Sequence, residues 1–353
     1  MAIRSVPDYS RPVYDILGLP FDAVDLQGAV RSVIQAVENR TPLFISTPNL
    51  NFLIASQSDA SFRQSVQASD LSLADGMPVI WLARLLGVPI HQRVAGSDLF
   101  EALCAQTDRT VKVYFFGGPD GAAQQASDRV NAMAEARALQ GLTPGVRCVG
   151  FESPGFGTLD DMSQAAVIDR INATGADFVV VALGAKKGQA WIQRNREQLH
   201  APVISHLGAV VNMAAGTIAR APRWMQRIGL EWVWRIKEEP MLWKRYASDG
   251  WVLLRLLLTK IVPQMVWRVK LRWRGPAQAR DAELDVKRDH GICHLALRGI
   301  WTASHAQPLR DQLAAAATQG EVTQLDIRGA SYLAPAVRGL VAIASRGKDA
   351  VHP

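Results

Sequence analysis

Leu71-Ser72-Leu73-Ala74-Asp75-Gly76-Met77-Pro78 is an apolar run that ends in an acid, then a glycine, then a helix start. A strand, a tight acidic turn and a helix make the joint of an open α/β sheet, where ligands sit beyond the carboxyl ends of the strands. Asp75 projects into that crevice, and a carboxylate there can accept a proton from an incoming hydroxyl. Equally, Asp75 can cap the helix that follows, since Asp is a favoured N-cap.

Working outward, the same alternation recurs on both sides. Asp25 to Asn39 has the spacing of an amphipathic helix, with Val30, Val33, Ile34 and Val37 on one face. Pro42–Ser46 reads as a short buried strand ending at Thr47-Pro48-Asn49, with a helix to about Ala68. Leu71–Ala74 is the next strand and Met77–Leu86 the next helix. The loop His91-Gln92-Arg93-Val94-Ala95-Gly96-Ser97-Asp98 follows, with Ser97 or Asp98 as cap for a helix over 98–106. Strands at Val111–Phe116, Val146–Phe151, Phe178–Leu183 and Val203–Leu207 alternate with helices over 122–138, 159–173 and up to Leu199. This pattern predicts an α/β fold: a Rossmann-like, largely parallel sheet with helices on both faces. Residues 1–20 read as a Pro-rich arm.

Residues 220–274 break the pattern. They hold thirteen Lys/Arg against four Asp/Glu, and seven of the ten tryptophans. The overall charge of +7 is therefore concentrated in this stretch. Cations mixed with tryptophan suit an anionic surface with an apolar edge, either a lipid headgroup layer or exposed nucleic-acid bases. Trp251–Val262 is interrupted by Arg255 and Lys260, so interfacial helices fit better than a span, which needs about 20 mostly apolar residues. The competing reading is a helix packed on the protein's own core. After Gly275-Pro276 a second small α/β unit begins, with strands at Leu284–Val286, Ile292–Leu297 and Gln324–Ile327 and helices at Pro308–Thr318 and 335–346. The expected division is an α/β core over 1–222, a basic Trp-rich appendage over 223–275, and a small domain over 276–353.

The rest of the composition narrows the class. With 48% apolar and 20% charged residues, the chain reads as an ordinary folded protein. Cys104, Cys148 and Cys293 lie far apart with no CxxC, which suggests no disulfide framework and no zinc site. The first residues lack the apolar core of a secretion signal, so a cytoplasmic location is expected. No D-x-D occurs, so no carboxylate pair is evident to carry a divalent ion on a nucleotide diphosphate.

Candidate binding groups cluster after the strands, each with a plainer reading beside it. Thr47 and Asn49 can bond sugar hydroxyls or cap the next helix. Arg93 can pair with phosphate or remain a solvated loop arginine. Gly117-Gly118-Pro119-Asp120-Gly121 can cradle phosphate or form a simple strand-to-helix turn. Lys186, Lys187 and Gln189, at another helix start, can hold a diphosphate or form a solvated turn.

Taken together and in order, Thr47-Pro48-Asn49, Ala74-Asp75-Gly76, Arg93-Val94-Ala95-Gly96-Ser97-Asp98, Phe116-Gly117-Gly118, Leu183-Gly184…Gly188-Gln189 and Gly229-Leu230-Glu231-Trp232…Arg235 resemble the WecG/TagA/CpsF family of bacterial glycosyltransferases. The resemblance spans about residues 15–247. It implies an inverting, metal-independent transfer from a UDP-sugar donor to a sugar on a polyprenyl diphosphate, with no cofactor and no nucleic-acid partner. It also implies peripheral attachment to the inner face of the plasma membrane, and leaves a homo-oligomer open. By the same resemblance Asp75 is the catalytic base and Thr47 its catalytic neighbour. Asn49, Arg93, Gln189, Asn212, Gly117 and Gly118 shape the substrate pocket. Arg235, Lys244 and Arg245 face the lipid diphosphate. Three departures stand out: Lys187-Gly188-Gln189-Ala190 replaces Pro-x-Gln-Glu, Asn212 stands at a usual Asp, and the appendage is one residue short after Pro240. Residues 284–346 resemble a degenerate STAS domain, with Ala334-Pro335 where a phosphorylated serine often lies. Two other functions fit parts of the chain: an NAD-dependent nucleotide-sugar oxidoreductase using Gly117-Gly118-x-x-Gly121, and a non-catalytic membrane-recruited scaffold.

Overall fold

The computed structural model describes residues 7–345 apart from Phe156, 218–220, Arg223, 226–228, Glu239 and 275–281. Its centre is a six-stranded sheet of β3 (Leu43–Ser46), β4 (Leu71–Ser72), β5 (Val111–Gly117), β6 (Val146–Glu152), β7 (Phe178–Ala182) and β8 (Val203–His206). The strand order is β4-β3-β8-β7-β5-β6, and every pairing is parallel. Successive side chains of a strand point to opposite faces. Here both sets are apolar, as a sheet covered on both sides requires.

Ile45, Val113, Phe115 and Val180 meet α1 (Leu26–Asn39), α5 (Gly96–Ala105), α6 (Ala122–Leu139) and α9 (Gly208–Ala215). Phe44, Tyr114, Phe116, Val179 and Val181 meet α7 (Ala165–Ala173) and α8 (Ala185–Asn195). Trp191 of α8 is fully buried, stacked on Phe116 at 4.5 Å between ring centroids.

The N-terminal segment is not an arm over its whole length. β1 (Val13–Ile16) and β2 (Leu19–Asp22) form an antiparallel hairpin. Its turn residues, Leu17 and Gly18, both have positive φ, the conformation a two-residue hairpin turn requires. The hairpin is ordered by burial: Ile16, Leu19 and Phe21 pack with α2 (Leu50–Ser58), α3 (Ala60–Gln67) and α4 (Met77–Leu86). The buried Asp22 carboxylate accepts from Arg11 and from the Ser72 backbone N–H at 2.6 Å, which ties the hairpin to β4. The helix expected up to Ala68 is broken at Asp59, which caps α3 through the Phe62 N–H.

The basic stretch folds as α10 (Glu231–Glu238), α11 (Leu242–Leu256) and α12 (Val262–Arg274), the last two joined by a π-helical turn over Leu257–Ile261. Pro263 has no N–H to give and crowds the preceding turn. The helix widens there, and the Val262 N–H donates to Leu257 O, five residues back. Leu256 and Ile261 are buried in the hairpin–α4 cluster, each contributing about 2 kcal/mol of apolar burial. The opposite face stays open, with Trp251 72% and Leu258 61% exposed. No helix among the described residues is long and apolar enough to cross a membrane.

A three-stranded sheet follows, β9 (Glu283–Asp289), β10 (Ile292–Trp301) and β11 (Val322–Leu333), in the order β11-β10-β9. β10 and β11 are parallel, and β11 runs well past the four residues expected. α13 (Ala306–Thr318) and α14 (Pro335–Ala344) cover it. Tyr9 and Val13 belong to the same core. A Cβ on Gly339 of α14 would fall 2.7 Å from Val13 O, so helix and hairpin are in backbone contact. Arg338 forms an ion pair with Asp15 at 3.1 Å and donates to Gln264 of α12 at 2.6 Å. Trp267 of α12 stacks on Tyr332 at 5.9 Å.

Candidate active site

A parallel sheet delivers all its strand ends to one edge. At that edge three loops converge beside β3 and β4. The Leu73 N–H donates to Ser46 O at 2.8 Å, Asp75 N–H to Pro48 O at 3.1 Å, and Val94 N–H to Ala74 O at 2.9 Å. These bonds place Thr47, Asn49, Asp75 and Arg93 together, as the sequence motifs anticipated only one by one.

Asp75 is not the cap of α4. Gly76 holds that position with φ 105°, a conformation natural to glycine, and no side chain caps the helix. The Asp75 carboxyl is therefore left for other work. The residue as a whole is half-buried, and protein surrounds its carboxyl. Burial pushes its pKa up to about 7. Arg93 and Arg235 oppose that rise, whereas Glu231 and Asp98 add to it.

Arg93 is not a solvated loop arginine. It is 12% exposed and bridges two carboxylates, Asp98 of α5 at 2.9 Å and Glu231 of α10 at 2.7 Å. The appendage is thereby ion-paired to the core beside Asp75. Arg235 lies one turn further along α10 and is near enough to favour the ionised form of Asp75. Lys244 is exposed on α11. The Arg245 side chain lies outside the described residues.

The other expected residues occupy distinct places. Asn49 caps α2, its Oδ1 accepting from the Phe52 N–H at 3.2 Å, with its Cβ 4.0 Å from where one on Gly76 would sit. Thr47 is buried against the start of α5. Gln189 is fully buried behind the strand end and donates to Ser46 Oγ at 3.1 Å. Its Oε1, the Asn212 Oδ1 and the His206 Nε2 are buried without a hydrogen-bond partner. Lys186 pairs with Asp59 at 2.9 Å, and Lys187 donates to Gly157 O. Gly117 and Gly118 serve close packing: a Cβ on Gly117 would sit 2.6 Å from Ala182 O, and the Gly118 N–H donates to that oxygen at 2.8 Å. The helix cap expected at Ser97 or Asp98 lies earlier, at Ala95, which leaves Asp98 in the first turn of α5.

Three residues escaped the sequence reading as site members: Glu231, Asp98 and His206. The first two lay inside motifs quoted above, so a signal was present, but nothing local says that both turn toward Arg93. His206 ends β8 in a cage made by Gly188 and Gly208, and burial pushes its pKa down to about 4. Among the described residues no three His, Cys, Asp or Glu side chains are grouped to hold a metal ion.

The family model described as "Glycosyl transferase WecG/TagA/CpsF family" matches residues 14–266. This chain belongs to the WecG/TagA/CpsF glycosyltransferase family. The matched region takes in the six-stranded sheet, Asp75 and the appendage through the first five residues of α12, and ends before the small C-terminal sheet. The glycosyltransferase is 29% identical over 206 residues to the N-acetylglucosaminyldiphosphoundecaprenol N-acetyl-beta-D-mannosaminyltransferase of Bacillus spizizenii, a match covering 58% of this chain and 75% of that one. It is 25% identical over 213 residues to the enzyme of the same name from Bacillus subtilis, covering 60% and 78%. An inverting sugar transfer needs a base for the acceptor hydroxyl and positive charge for the leaving group. Asp75 is a carboxyl of raised basicity with Arg93 and Arg235 close by, and Arg93 is paired with Asp98 and Glu231.

Proposed function

We propose that this glycosyltransferase moves a sugar from a UDP-sugar to a sugar carried on a polyprenyl diphosphate, with inversion and without a metal ion. The donor is a UDP-sugar such as UDP-N-acetylmannosamine, its uronic acid or UDP-glucose, and the product feeds exopolysaccharide or another cell-surface glycopolymer. The names of the two Bacillus relatives support a lipid-diphosphate acceptor. The observation that carries the reading is Asp75, a carboxyl whose pKa of about 7 suits a general base at neutral pH.

In the proposed step the Asp75 carboxylate takes the proton of the acceptor hydroxyl. That oxygen bonds to the anomeric carbon on the face opposite UDP, and the bond from carbon to the UDP oxygen breaks. UDP leaves with the electron pair. Arg235, with Lys244 and Arg245 on α11, supplies positive charge to the diphosphates. Thr47 and Asn49 orient sugar hydroxyls beside Asp75. The unpartnered Gln189 Oε1, Asn212 Oδ1 and His206 Nε2 suit the donor's N–H and O–H groups, since buried polar atoms are normally paired.

The exposed tryptophans and cations of α11 and α12 fit a peripheral site on the inner membrane face. The unit over 276–353 is proposed as a STAS-like module with a docking or structural role. A screen of UDP-sugars against a lipid-diphosphate sugar acceptor, read by mass spectrometry, tests the proposal. Transfer of a single sugar-residue mass that Asp75→Asn abolishes is the expected result. Absence of transfer from every UDP-sugar overturns it.

A further inference from the structure

The loop that brings the appendage onto the core carries a carboxylate with no role in the transfer step above. Gly229 has φ 79°, and a Cβ there would sit 2.9 Å from Met77 Cβ and from the Trp81 ring. Its backbone therefore lies directly on the first turns of α4, the helix that begins just after Asp75. Two residues on, Glu231 opens α10 and reaches Arg93 at 2.7 Å. Both partners are mostly shielded, at 12% and 26% exposure, so solvent screening of the pair is reduced. Asp98 holds the other arm of the same guanidinium.

We infer that Glu231 is a positioning residue that latches the appendage to the rim of the cleft and sets the charge field around Asp75. The inference rests on the reading of Asp75 as the base. The charged groups facing Asp75 are Arg93 from the loop before α5, Asp98 from α5, and Glu231 and Arg235 from α10. Two are positive and two negative. Glu231 and Arg235 arrive only when the appendage is seated, so seating it changes the field as well as the shape. Loss of the Glu231 charge leaves an excess of positive charge beside Asp75. The carboxylate is then favoured and becomes a weaker base. One side chain thus couples appendage docking to the readiness of the site.

The test uses the full chain with Glu231→Gln, Glu231→Asp and Asp75→Asn. Titration of the Asp75 carboxyl is followed by carbon-13 NMR, with Asp75→Asn assigning the signal. Amide hydrogen exchange is measured over α10. Glu231→Gln is expected to lower the Asp75 midpoint by about one pH unit and to speed α10 exchange about tenfold or more. Glu231→Asp, which keeps the charge, is expected to hold the midpoint near the wild-type value. An unmoved midpoint or unchanged α10 exchange in Glu231→Gln overturns the inference. Neither readout needs turnover, so they are separate from the reading of Asp75 as base, which fails if Asp75→Asn still transfers sugar.

Discussion

Asp75 sits where a carboxylate is costly to ionise, and that cost has two measurable consequences. The first is kinetic. A base must be deprotonated to act, so kcat/KM is expected to rise with pH through about 7 and then level. Asp75→Asn should remove that limb and lower turnover by about 10²–10⁴-fold while donor binding is kept; near-wild-type turnover rejects the role. The second concerns stability. The folded-state pKa is raised above the ordinary Asp value of 3.8, so the folded chain holds a proton that the unfolded chain has released. Stability from this group is full below pH about 4 and falls as pH rises through about 7. Asp75→Asn is therefore expected to melt at a higher temperature than wild type at pH 8, with the gain vanishing at pH 4. His206 has the opposite sign. Its pKa is pushed down from 6.5 to about 4, so its contribution is present above 6.5 and is lost as pH falls through about 4.

α11, the π turn and α12 form an element with two apolar faces of different destiny. Leu256 and Ile261 are buried, whereas Trp251, Leu254 and Leu258 are not. Replacing Trp251 and Leu258 together by Glu is expected to weaken binding to vesicles containing anionic lipid about tenfold or more, with the melting temperature nearly unchanged; flotation assays measure it. Ile261→Glu, by contrast, puts a charge into the hairpin–α4 core and is expected to destabilise the protein by about 3 kcal/mol or more. Gly229→Ala tests the seating of α10. Its new Cβ meets Met77 and the residue is held at positive φ, so lipid-acceptor turnover should fall more steeply than donor binding. The two faces could not be told apart in the sequence. Arg255 and Lys260 interrupt the apolar run, and only the widened turn before Pro263 decides which residues face inward.

For the molecule as a whole, the N-terminal hairpin and the C-terminal three-stranded sheet with its helices share one core. Tyr9 and Val13 pack among Leu309, Leu313, Val337 and Leu340, and Arg338 reaches both Asp15 and Gln264. The C-terminal sheet and its helices thus grip the N-terminal hairpin on one side and α12 on the other. Gly339→Val is expected to cost about 2 kcal/mol by overpacking against the Val13 backbone. Limited proteolysis should then open both the hairpin and α12 earlier than in wild type. Cleavage confined to the small domain would show that the grip is weak.

Periodicity alone determined that strands and helices alternate, that the sheet is parallel and covered on both faces, and that polar residues gather after the strands. Those are local properties: a period of two with both faces apolar, or of 3.6, is written in neighbouring residues. Asp75, Thr47 and Asn49 were legible for the same reason, since each follows a strand, and Arg93 because it stands in a polar loop ahead of a helix start. Tertiary structure alone decided their partners. Arg93 meets Glu231 across 138 residues of chain, and Gln189 meets Ser46 across 143. Lys186 turns to the Asp59 carboxylate, and an apparent arm becomes a hairpin because it is buried against α2, α3, α4 and α14. Charge pairing and burial depend on distance in space, and the order of residues along the chain does not carry that distance.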